Sequence, residues 1–301
     1  MSKVFIHIGY PKTATTWLQR FIFPFHKEIN YLDHYKNENK WLLDLRYIDD
    51  LDFNPESFKK KYSELNIDKE KPVLISIESL SGDVFKRGFN SKRIADNLKE
   101  IFPDAKIIIT VRNQIAMIDS LYKQYVNQGG NCNFKKFIEL PAPKPVSFSL
   151  NYLKYHKLLD YYSDIFGQDS VFVKTYEHLK KNPEKYLSEL FLFIGVKDFD
   201  GDLKNFKVNR SLSPFSVGLL RFANQFLKSP MNTGAIMPGK FFHPMFRSFL
   251  QNTFDPFFFA KSKKKIIDKK FIEYLKSYYQ ESNNYLDKKY DLELGKYDYP
   301  L

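Results

Sequence analysis

The chain has 301 residues, 43% of them hydrophobic and 17% aromatic, and 47 Lys and Arg against 35 Asp and Glu leave a net charge of +12. That composition supplies a sizeable core and excludes a disordered chain, a collagen-like fibre and a disulfide-stapled miniprotein. Cys132 is the single cysteine, which excludes an intrachain disulfide and a cysteine-based zinc site and favours a reducing, cytoplasmic compartment. The longest apolar run, Leu190 to Val196, is far short of the roughly 18 residues that a membrane span needs. The opening Lys3-Val-Phe-Ile-His-Ile8 reads as a strand of the fold rather than a leader. The 39 Lys and 8 Arg are spread along the chain without a recognisable nucleic-acid module. The charge therefore reads as a solvated Lys-rich surface, with a share left to steer anionic ligands.

In chain order, four short runs rich in Val, Ile or Phe read as buried parallel strands: Val4–Ile8, Val73–Ile77, Lys106–Val111 and Ser170–Lys174. Helical patterns separate them. Thr13–Phe23 follows the first strand and stops at Pro24. Ser91 is expected to cap Lys92–Phe102, which Pro103 ends. Asn113–Gln128 is amphipathic and closes at Gly129-Gly130, and Ser149–Phe166 runs to Gly167. Strands alternating with helices predict a three-layer α/β/α fold around a mostly parallel sheet. No linker or repeat interrupts the chain, so it reads as a single domain over 1–301, with an α/β core at 3–211 and a helical, Phe-rich extension at 212–301. In that extension Pro214–Leu227 and part of Lys263–Tyr290 read as helices. Between them, Met231–Phe259 carries Phe241, Phe242, Phe246, Phe249, Phe254, Phe257, Phe258 and Phe259, followed by Lys261, Lys263, Lys264 and Lys265. The plain reading is loop and short helices packed on the sheet. The alternative is an acceptor-site wall or a membrane-surface patch.

The most informative segment is Gly9-Tyr-Pro-Lys-Thr-Ala-Thr-Thr-Trp17, placed between the first strand and the first helix. Free N–H groups at a helix start, together with the helix dipole, make an anion site. Lys12 adds a full charge, and Thr13, Thr15 and Thr16 add hydroxyl donors, which suits a phosphate or sulfonate. The pattern is not GxxxxGK[ST], because no Gly precedes Lys12. Arg112 stands where an Asp at the end of Lys106–Val111 would hold magnesium, which disfavours a nucleotide kinase.

Pro11-Lys-Thr-Ala-Thr-Thr-Trp-Leu18 resembles the 5′-phosphosulfate loop of the sulfotransferases, close to PK[ST]GTTW, with Ala14 in place of the usual Gly. Val111-Arg112-Asn113, with Ser120 eight residues beyond Arg112, resembles that family's 3′-phosphate motif, with Gln114 where Pro is usual. An Arg offers a forked, charge-assisted contact to such a group. A third stretch, Val171 to Pro183 with Tyr176-Glu177, resembles the family's strand-Tyr-Glu-Asp segment. The likeness covers about residues 3–211. It implies a donor, 3′-phosphoadenosine 5′-phosphosulfate (PAPS), bound by Lys12, Thr13, Ala14, Thr15, Thr16, Arg112 and Ser120. It also implies Trp17 and Tyr176 near the adenine and Asn209, Arg210 and Ser211 in a closing loop, although the glycine-rich loop of cytosolic relatives is missing. Tyr176 equally fits a core aromatic at a strand end.

Sulfuryl transfer resembles phosphoryl transfer in resting on positioning and charge stabilisation. Lys12 and the helix start would stabilise charge on the leaving phosphate. No metal is expected, and no Asp, Glu and His cluster has metal spacing. A base must take the acceptor's proton. Glu78 closes the strand Val73–Ile77 at the carboxyl edge of the sheet, where open α/β folds bind ligands, and no His occurs between His34 and His156. The competing reading of Glu78 is a cap or a partner for a neighbouring Lys. His7, within the first strand, reads as a core residue, and the roles of His26 and His34 stay open. By family likeness a Glu base implies a carbohydrate hydroxyl as acceptor; the Phe-rich, basic region Met231–Lys265 extends this to a glycolipid acceptor with peripheral membrane contact, and no nucleic-acid partner is expected. The alternatives are a small-molecule hydroxyl sulfotransferase, a nucleotide kinase and a nucleotide-binding module without turnover.

Overall fold

The computed structural model describes residues 2–139, 146–203, 212–255 and 266–301. Five parallel strands form the central sheet: β1 (Val4–His7), β2 (Asn30–Leu32), β3 (Val73–Ser76), β4 (Lys106–Val111) and β5 (Val171–Thr175), in the order β2-β3-β1-β4-β5. The four apolar runs are four of these strands, each within about a residue of its expected bounds. The fifth, β2, is three residues long with only Leu32 fully buried, too short and too polar to stand out as a run.

Both faces of the sheet are covered, which is why its strands are apolar without alternation. On one face Phe5, Leu74, Ile108 and Phe172 pack with Leu18 and Ile22 and with Leu187, Leu190 and Phe191 of helix Pro183–Ile194. Helix His156–Phe166 lies against β4, β5 and helix Ser91–Ile101. The result is the α/β/α arrangement expected.

The chain divides into two compact units. One comprises Met1–Asn113, Asn151–Phe206 and Tyr279–Leu301 and holds the sheet; the other comprises Gln114–Leu150 and Lys207–Tyr278. Charge separates them sharply. The sheet unit has 30 basic and 30 acidic residues, whereas the second has 17 basic and 5 acidic and so carries the entire net +12. Basic residues are spread along the chain as expected, but their excess is not.

Within the second unit, helix Gln114–Asn127 packs on helix Pro214–Ala223. Buried Asn224 donates to the carbonyls of Val126 (2.8 Å) and Gly130 (2.9 Å), which satisfies the C-terminal end of the first of these helices. Gly129 takes φ +97, the left-handed helix end expected from the sequence. Helix Gly239–Phe249 occupies the aperiodic Phe-rich stretch. Phe242 and Phe249 on it are half exposed, so neither is a core residue. Phe257 to Phe259 and Lys261 to Lys265 lie outside the described residues.

Three helix expectations need correction. Asn90, not Ser91, precedes helix Ser91–Ile101, and Ser91 Oγ instead donates to the carbonyls of Ser81 and Gly88, both at 2.7 Å. The Ser149–Phe166 pattern splits into a 3₁₀ turn, Leu150–Leu153, and helix His156–Phe166. Tyr155, at the break, donates its hydroxyl to the carbonyl of Arg112 (2.7 Å). After β1, an α turn at Thr15–Trp17 widens into a π segment, Leu18–Ile22, and Pro24 sits inside a final 3₁₀ turn, Phe23–Phe25.

Candidate active site

Three chain segments meet at the carboxyl end of β1 in the sheet unit. The first is the loop Gly9–Ala14. Gly9, Lys12 and Ala14 take φ of +45, +64 and +64, so the backbone alternates into the left-handed region and forms a concave turn of N–H groups ahead of the helix. A Cβ on Gly9 would lie 2.8 Å from Thr15 Cγ2, so only glycine fits there. Ala14 precedes the helix in the left-handed conformation. This explains the Gly usual at that position: backbone freedom is required as well as small size.

The hydroxyls of the loop are not equivalent. Buried Thr13 donates to the Tyr10 carbonyl (2.6 Å) and so braces the loop itself. Thr15 Oγ1 donates to Glu78 Oε2 at 2.8 Å. Thr16 is exposed. Glu78 is half-buried just beyond β3, and Ser81 N–H and Oγ bond the carbonyls of Ile8 (3.0 Å) and Gly9 (3.3 Å), pinning the Glu78 segment to the loop.

The third segment is Arg112, directly after β4. Its Nη1 donates to the Lys12 carbonyl at 2.9 Å, and its guanidinium lies 4.7 Å from the Tyr176 ring centroid. Its Nε is buried and has no hydrogen-bond partner among the described residues. A cation with an unused donor beside a turn of N–H groups suits an anionic ligand with more than one charged group. Lys12, Thr15, Glu78, Arg112 and Tyr176 are thus brought together.

Other expected residues stand differently. Trp17 is 7% exposed and packs among Phe5, Leu18 and Phe172, where it anchors the helix behind the loop. Ser120 lies on helix Gln114–Asn127 of the second unit. Asn209, Arg210 and Ser211 lie outside the described residues. His26 Nε2 is paired with the Lys197 carbonyl (3.0 Å), and His34 is buried beside Tyr35. His7 Nδ1 pairs with Ser76 Oγ (2.8 Å), and burial lowers its pKa to about 4, so it is neutral at physiological pH.

Glu177 was visible in the sequence only as part of a motif. Its carboxylate accepts the Asn113 N–H (3.2 Å) and the Tyr299 hydroxyl (2.9 Å). Burial raises its pKa, and hydrogen bonds and the Arg112 charge oppose that rise. No local pattern marks this role, because Tyr299 lies 122 positions away.

The family model described as sulfotransferase domain matches residues 2–214. The chain belongs to the sulfotransferase family. It is thereby a PAPS-dependent enzyme in class, and its fold is that of solved relatives. A sulfotransferase from Alicyclobacillus acidocaldarius superposes with a TM-score of 0.52 at 16% identity, covering 82% of this chain and 99% of that one. The sulfotransferase domain from the Synechococcus PCC 7002 olefin synthase gives 0.42 at 16% identity, covering 73% and 87%. Mouse sulfotransferase SULT7A1, solved with PAP, gives 0.38 at 16% identity, covering 75% and 65%. No curated protein matches the chain. Among the described residues of this sulfotransferase, no helix is long and apolar enough to cross a membrane.

Proposed function

We propose that this sulfotransferase moves a sulfuryl group from PAPS to a hydroxyl of a carbohydrate or glycolipid. Lys12 and the loop N–H groups hold the 5′-phosphosulfate end, Arg112 holds the 3′-phosphate, and Glu78 is the base. The observation that carries this reading is the direct linkage of all three: Arg112 to the Lys12 carbonyl, and loop residue Thr15 to Glu78. Thr13, Ala14 and Trp17 shape the loop, Thr16 is a spare donor, and Tyr176 flanks the Arg112 guanidinium on the adenine side. Ser120 and the Asn209-Arg210-Ser211 segment enter on the family pattern alone. The test is thermal stability against PAP, the desulfated product. A ligand that binds only the folded chain at a hundredfold excess over its Kd adds about 2.7 kcal/mol. A saturable PAP shift, absent with AMP, is expected. A magnesium-dependent ATP shift without a PAP shift would instead support the kinase reading.

A lipid-linked acceptor is favoured by the second unit. Of eighteen exposed large apolar side chains among the described residues, eight fall within residues 215–249. Phe222 and Phe226 are in ring contact, and the Met237 N–H bonds the Phe226 carbonyl (2.9 Å). Phe242, Met245 and Phe249 share one stripe of their helix, 50 to 66% exposed. Aromatic and Met side chains on a unit of charge +12 match an anionic lipid surface, whereas a second copy would bring like charge against like. Co-sedimentation with anionic vesicles, but not neutral ones, is expected. Replacing both Phe242 and Met245 by Asp, or reversing Lys261–Lys265, should weaken it at least about tenfold, since each surface cation contributes about 1 kcal/mol. Equal binding by these variants would remove the membrane reading and leave a soluble carbohydrate or small hydroxyl compound as acceptor.

A further inference from the structure

The C-terminal tail lies outside the matched residues 2–214, yet it holds the turn that carries Arg112. Asn113 Nδ2 donates to the Asp298 carbonyl at 2.8 Å, and its backbone N–H reaches the Glu177 carboxylate, which also accepts the Tyr299 hydroxyl. The Arg112 carbonyl is taken by Tyr155. The backbone on both sides of the Arg112–Asn113 peptide is therefore tied down, while the guanidinium above it keeps a buried donor without a partner among the described residues.

The tail is built to stay in place. Tyr299 is 5% exposed, fully buried Asn283 donates to the Pro300 carbonyl (2.8 Å), and the Leu294 N–H bonds Asp287 Oδ1 (2.9 Å). Asp291, Glu293 and Asp298 adopt φ of 49, 52 and 55, a conformation that costs non-glycine residues energy and persists only where surrounding contacts enforce it.

We propose that Tyr299 and Glu177 are positioning residues for the donor: through Asn113 they fix the direction of the Arg112 side chain toward the 3′-phosphate. This rests on the reading of Arg112 given above. Among the described residues, their side chains hydrogen-bond to Asn113 and to each other. Their effect is to order beforehand a long side chain that would otherwise lose rotamer freedom on binding.

A double-mutant cycle on the full chain, read as the Kd for PAP by calorimetry, tests this. Tyr299→Phe is expected to weaken PAP about tenfold, the cost of loosening one charge-assisted hydrogen bond. In an Arg112→Lys background, where no fork remains to be aimed, the same change should cost less than about twofold. An equal loss in both backgrounds would make Tyr299 merely structural and overturn the proposal, as would no loss in either. Unchanged PAP affinity in Arg112→Lys alone would instead remove Arg112 from the site. Should Tyr299→Phe fail to fold, Glu177→Gln takes its place. It keeps an acceptor for Asn113 but lacks the charge, and its loss must likewise disappear in the Arg112→Lys background.

Discussion

Glu78→Gln is expected to lower kcat by about two to four orders of magnitude, the usual contribution of a positioned base, while PAP binding stays within about twofold of wild type. The reasoning starts from Thr15. Its hydroxyl donates to Glu78 Oε2, and the amide oxygen of Gln accepts the same bond, so loop and side chain keep their arrangement. What is lost is a group able to take the acceptor hydroxyl's proton as that oxygen bonds to sulfur and the sulfur–phosphate oxygen bond breaks. Two of the histidines are engaged elsewhere: buried His7 is neutral and bonded to Ser76, and His26 is bonded to the Lys197 carbonyl. The measurement is single-turnover sulfation of an identified acceptor alongside PAP calorimetry. Undiminished turnover would remove Glu78 as the base. Loss of PAP binding in step with turnover would instead make Glu78 a brace for the loop, acting through Thr15.

Lys12→Ala should reduce kcat/KM for PAPS by about two to three orders of magnitude, as removal of one group stabilising developing charge does elsewhere. Lys12 is the only charged side chain in Gly9–Trp17, so no neighbour in the loop replaces it. The left-handed backbone at Lys12 is tolerated by Ala14 two residues on, so the loop is expected to keep its turn and its Arg112 contact, which uses the Lys12 carbonyl rather than the side chain. Unlike Glu78→Gln, this variant should also lose most of the thermal shift produced by PAP. Retained shift and retained turnover together would mean that the N–H groups and Arg112 suffice and that Lys12 faces solvent.

The parts of the molecule legible in the amino-acid order are those written in neighbouring residues. Four of five strands were readable because a doubly covered parallel strand must be a continuous apolar run, and Val73–Ser76 and Lys106–Val111 are such runs. The loop was readable because Lys and hydroxyl residues at a strand-to-helix junction have few other uses. Even its departure at Ala14 was visible, though the positive φ that explains the usual Gly there was not. The short edge strand Asn30–Leu32 was not readable, since three residues with one fully buried side chain leave no period to detect.

Local order alone therefore determined the fold class, and it marked the candidate anion-binding loop and the candidates Lys12, Glu78 and Arg112. Tertiary structure decided how those groups are used: which Thr hydroxyl braces the loop and which reaches Glu78, that Arg112 meets Lys12 from 100 positions away, and that a tail ending at residue 301 secures Asn113. The physical reason is the same in each case. Hydrogen-bond direction, burial and net field depend on which distant residues the packing of the core brings together, and spacing along the chain carries no record of that.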